Sequence, residues 1–158
     1  DANLVAIIRA LSQQQQGKGW GAGTLLNEYT AQLDATDGEA RPRSGPLRLL
    51  DVRVIPEWID YTGHMTEHRY LDLFGQTTDQ FLALIGVDAA YLDGGHSYYT
   101  VETHIMHRDE AKAGDALHVD TQLLSFDAKR IHLIHTLKRG RGTNVASCRY
   151  ESRKSGCR

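Results

Sequence analysis

Asp60 and His64 place a carboxylate and an imidazole in one turn, within Asp60-Tyr61-Thr62-Gly63-His64-Met65-Thr66-Glu67-His68-Arg69-Tyr70. A carboxylate in such a turn is a nucleophile or a general base; in the plainest case it only ends a strand and solvates the turn. The residues after the turn favour a chemical role over the plain one and leave nucleophile and general base both open. Tyr70, Leu73, Phe74, Thr77, Phe81, Leu84 and Ile85 recur at helical spacing as one continuous face, and Gly86 stops the pattern. The first turn of a helix carries unpaired backbone N–H groups and partial positive charge. Asp60 therefore stands just ahead of a place suited to a developing oxyanion.

Other side chains extend the candidate list. His64 orients a polar group, packs structurally or binds metal. The eight histidines include pairs His104/His107 and His132/His135, whose spacing of three puts them on opposite faces of a strand. No His-Glu-x-x-His or paired-cysteine pattern accompanies them, so no metal site is expected. Glu102 lies among strand-forming residues, either solvated or facing a cleft or a partner. Trp58, Tyr61, Tyr98 and Tyr99 are its candidate aromatic companions, with Tyr70 at the start of the helical face. Aromatic faces with a carboxylate recognise a quaternary ammonium group, although most aromatics in a domain of this size belong to the core.

These residues need elements to hold them. Leu50, Val52 and Val54 alternate with Asp51 and Arg53 and predict a first strand with one dry face. After the helix, Tyr99, Val101, Thr103 and Ile105 form one alternating face and Leu117, Val119, Thr121 and Leu123 another. Ile131, Leu133 and Leu137 supply a third, and residues 145–150 a shorter fifth strand. Turn-rich connections at Lys112–Asp115, Asp127–Lys129 and Arg139–Thr143 read as hairpins or meanders. The fold class is α+β, with one long helix after the first strand and then an antiparallel run. Residues 1–33 carry two helical faces around a glycine-rich break, without the strand or Lys-Ser/Thr pair of a phosphate loop. Residues 34–46 are polar and read as a linker, leaving 47–158 as the main domain.

The set Asp-x-x-Gly-His-Met at residues 60–65, Ser97–His104 and Lys112-Ala113-Gly114-Asp115 resembles the hotdog-fold acyl thioesterases. In particular it resembles the thioesterase part of carnitine-catabolism proteins, where that part follows a carnitine dehydrogenase. The resemblance implies a sheet of about five strands wrapped on the helix, and residues 1–33 as the end of the dehydrogenase module. It implies catalysis by Asp60 and His64, with the backbone N–H groups of Glu67 and His68 forming the oxyanion site. It further implies a homodimer joined through sheet edges, and hydrolysis of a short cationic acyl-CoA such as betainyl-CoA. Coenzyme A enters only as part of the substrate, with no separate cofactor. Thr62 stands where many plant-type acyl carrier protein thioesterases have Asn. The polar tail Ser152–Arg158 departs from the family and is expected to weaken the last strand.

Composition sets outer limits. With 18 Lys and Arg against 20 Asp and Glu, the chain has no basic block suited to nucleic acid or anionic membrane. Its apolar runs are too short to span a bilayer, and no signal-like segment opens it. Cys148 and Cys157 form no CxxC pair, consistent with a reduced, cytoplasmic protein. Two further readings stand beside the thioesterase: a hotdog enoyl-CoA hydratase, and a non-catalytic assembly domain of a carnitine dehydrogenase.

Overall fold

The computed structural model describes residues 46–127 and 129–155; the expected helical segment, the expected linker up to residue 45, and Cys157 lie outside the described residues. Strand β1 is Leu47–Arg53, helix α1 is Glu67–Leu84, and a short helix α2 is Ala89–Asp93. Four strands complete the chain: β2 Ser97–His107, β3 Ala116–Phe126, β4 Arg130–Arg139 and β5 Thr143–Ser155. They form one five-stranded antiparallel sheet with β1, in the order β1-β3-β4-β5-β2.

The described residues divide into two compact units, one of Pro46–Asp79 with Tyr99–Arg153 and one of 80–98 with 154–155. In the larger unit, the period-3.6 face of α1 is buried through Tyr70, Leu73, Phe74 and Thr77, with Thr78 added. The period-two faces of β3 and β4 supply Leu117, Val119, Leu123, Ile131, Leu133 and Leu137, all buried. His135 sits in this core, fully buried. Its Nδ1 meets the Thr121 hydroxyl at 2.8 Å and its Nε2 the Thr78 hydroxyl at 2.9 Å. The Thr78 hydroxyl also donates to the Phe74 carbonyl at 3.0 Å, so its oxygen accepts from Nε2–H. Nδ1 then accepts from Thr121, and both ring nitrogens are satisfied by a neutral imidazole. Burial pushes this ring down to about 3.

In the smaller unit α1 ends as the sequence predicts. Gly86 adopts φ 93°, and Val87 N–H donates to Leu82 O (2.9 Å) while Gly86 N–H donates to Ala83 O (3.0 Å). Asp88 caps α2 through Tyr91 N–H at 3.0 Å, and the buried Tyr91 ring packs with Val87 and Tyr98.

Three expectations are corrected. The connection at Lys112–Asp115 is not a hairpin: β2 and β3 are not neighbours, so the chain there leaves one end of the sheet for a place beside β1. The alternating face of β2 is not dry, since Tyr99 is 52% and Val101 41% exposed on a strand at the sheet's edge. The last strand is not short either. β5 runs 13 residues, and Ser152 is buried, so the first two residues of the polar tail, Ser152 and Arg153, continue the ladder with β4.

Candidate active site

The Asp60 turn is built locally. Asp60 N–H donates to His64 O at 2.9 Å and Gly63 N–H to Asp60 O at 3.0 Å, with Gly63 at φ 85° where glycine is favoured. The Asp60 carboxylate accepts from Thr62 N–H at 2.7 Å and again from the Thr62 hydroxyl. The hydroxyl bond, then the backbone bond, hold the Asp60 carboxyl below its ordinary value, so it is an anion at neutral pH. Thr62 thus serves the carboxylate with two donors.

His64 joins the turn to the segment that follows β2. Its Nδ1 lies 3.2 Å from the Thr62 hydroxyl and its Nε2 lies 2.7 Å from Glu110 Oε2. Two backbone bonds run beside it: Met65 N–H to Ala111 O at 2.8 Å and Thr66 N–H to Trp58 O at 2.9 Å. Sequence reading misses Glu110, because no local spacing links it to His64.

The helix N-terminus comes next. Glu67 and His68 open α1, and neither backbone N–H has an acceptor among the described residues. Both side chains are exposed. The Thr66 hydroxyl, in place to cap the helix, is itself a buried polar atom without a partner among the described residues. Unsatisfied donors at the first turn are what an oxyanion requires.

The aromatic candidates have separate surroundings. Tyr70 is buried, its hydroxyl accepts from Ala111 N–H at 3.1 Å, and its ring meets His107 edge-on at 4.7 Å; it braces the 110–111 segment. Trp58 already carries the Arg69 guanidinium at 5.8 Å from its ring centre. Tyr61 is 99% exposed. Tyr99 is half exposed on β2, and Tyr98 stacks on Tyr91 at 6.4 Å in the smaller unit. Trp58, Tyr61, Tyr70 and Tyr99 form no stacked set among the described residues.

Glu102 has its own place. With His104, His132, Arg149 and Glu151 it lines a cavity of about 490 Å³. His132 alternates with Ile131 and Leu133, whose side chains point to the α1 side, so this cavity is on the opposite face of the sheet. The Asp60 carboxylate bonds to Thr62 and to none of that cavity's residues.

Residues 54–153 match the model of the thioesterase-like superfamily. The chain belongs to that superfamily. It is similar to an L-carnitine dehydrogenase/betainyl-CoA thioesterase of Rhizobium meliloti (strain 1021), 57% identical over 135 residues, covering 84% of this chain and 27% of that protein. It is also similar to a betainyl-CoA thioesterase of Pseudomonas aeruginosa, 42% identical over 92 residues, 58% of each chain. The chain thus spans less than a third of the length of the dehydrogenase/thioesterase relatives it matches. Among solved structures, a hypothetical protein of Staphylococcus aureus in complex with CoA superposes with a TM-score of 0.68, at 22% identity and 75% coverage of each chain. That likeness shows the fold: the antiparallel sheet and long helix of this chain are the hotdog arrangement.

Proposed function

We propose that this thioesterase-family domain hydrolyses an acyl-CoA thioester, and that its acyl group is short and cationic, as in betainyl-CoA. The observation that carries the reading is an ionised Asp60 in a turn leading directly to unsatisfied N–H groups at Glu67 and His68. The names of the relatives at 57% and 42% identity support the acyl group. The carbonyl oxygen is held by the backbone N–H groups of Glu67 and His68 as negative charge develops on it. Asp60 acts in one of two ways: its oxygen attacks the carbonyl carbon, expelling CoA thiolate and leaving an anhydride that water cleaves, or it takes a proton from an attacking water. His64 orients the carboxylate through Thr62. Coenzyme A participates only as the leaving group, and no further cofactor enters.

The active assembly is a homodimer formed through β2, and the protein works in the cytoplasm. Among the described residues no helix is long and apolar enough to cross a membrane.

Thiol release from a panel of acyl-CoAs tests the activity. Betainyl-CoA is expected to exceed a neutral ester of similar size by about tenfold, since a ring–cation contact contributes ~0.5–2 kcal/mol. Equal rates would remove the cationic preference and keep the thioesterase. No thiol from any ester, or hydration of an enoyl-CoA in its place, would overturn the proposal.

A further inference from the structure

We infer that Glu110 is a positioning residue for this reaction, acting on Asp60 through His64 and Thr62; the inference rests on the thioesterase reading above. Four side chains form one continuous hydrogen-bonded chain, and its directions are set by the donors. The Thr62 hydroxyl donates its only hydrogen to Asp60, so its oxygen accepts from His64 Nδ1–H. The other ring nitrogen faces Glu110 Oε2 at 2.7 Å, where a carboxylate accepts. The two ring nitrogens thus face Thr62 and Glu110, and Glu110 is the group that holds the ring in that orientation.

The backbone that carries Glu110 is held from two sides. The guanidinium of Arg139 pairs with Asp109 and Asp115 and donates to the Glu110 carbonyl at 2.9 Å. On the other side, Ala111 N–H donates to Tyr70 Oη and Ala111 O accepts from Met65 N–H. The backbone of residues 109–111 is thus tied to β4, to α1 and to the Asp60 turn. The Glu110 side chain is 64% exposed, and an exposed ion pair contributes little to stability. Its consequence is therefore expected in the geometry of the carboxylate, and its removal should leave the fold in place.

The experiment is steady-state thiol release by the full chain carrying Glu110→Gln, Glu110→Asp, His64→Gln, or Glu110→Gln with His64→Gln, each checked for an unchanged melting curve. Glu110→Gln is expected to lower kcat by about tenfold or more, the scale of a displaced reacting group, with KM within about twofold. Glu110→Asp should recover part of that loss. In the His64→Gln background, Glu110→Gln should add almost nothing, because the two act as one unit. Independent, multiplying losses, a change in KM alone, or a wild-type kcat in Glu110→Gln would each overturn the inference while leaving the thioesterase reading intact. Absence of thiol release from the unmodified chain would overturn both.

Discussion

At the residue scale, the turn at Asp60 was legible because its partners are local: Thr62, Gly63 and His64 lie within one turn of it, and turn chemistry is written in consecutive residues. Asp60→Asn keeps the shape and removes the anion, and thiol release is expected to fall by at least about a hundredfold, the usual scale of a lost nucleophile or base. Rates close to the unmodified protein's would remove Asp60 from the mechanism. Thr62→Ala deletes the largest cause of the lowered Asp60 value. An active anion with a depressed value stays active to lower pH, so the acid limb of kcat/KM should move upward in this variant. A limb that stays put would show that Asp60 is not the group it reports. His135 was not legible in the same way. Sequence showed only one member of a pair spaced three apart, while its partners Thr78 and Thr121 come from other elements. Its folded ring takes up a proton only at about 3, whereas the unfolded ring does so near 6.5. Stability from this group is therefore full above pH 6.5 and falls by about 1.4 kcal/mol per pH unit below it, until the folded value is reached. Denaturant midpoints measured between pH 6.5 and 4 should fall more steeply for the unmodified chain than for His135→Gln. Parallel slopes would assign the acid sensitivity to carboxylates.

At the element scale, period decides what can be read. The 3.6-residue face of α1 and the alternation of β3 and β4 both correspond to buried residues, since each has a core on one side. In β2 the same alternation accompanies exposed Tyr99 and Val101, because alternation encodes a face and says nothing about position in the sheet. The end of β5 shows the converse: Ser152 fills an inward position with a hydroxyl in place of an aliphatic side chain, so the apolar pattern stops before the strand does. An 11-residue edge strand with exposed apolar side chains is a template for pairing. Tyr99→Lys with Val101→Lys should convert the proposed dimer to a monomer in sedimentation, while the melting curve of the monomer unit persists. A dimer unaffected by both lysines would place the interface elsewhere.

At the scale of the whole molecule, the elements and their fold class were legible, but the strand order was not. The turn at Lys112–Asp115 has hairpin chemistry, with Asp115 accepting from Lys112 N–H at 3.0 Å, yet joins strands that never pair. Only the completed sheet shows that β1 and β2, the strands flanking α1 in the chain, lie at opposite ends. That order also sets how the molecule should come together and come apart. The central strands β3, β4 and β5 meet through two short loops, so their amides are linked by contacts close in sequence. β1 and β2 take their places only after long stretches of chain have closed, and each is bonded along one side. Amide hydrogen exchange should therefore be slowest in β4, the middle strand of the order with an interior strand on each side, and the rims should open first at lower free energy. Uniform protection across all five strands would mean that the sheet opens only as a whole. The same gradient would let a rim open to admit a bulky thioester while the centre stays closed.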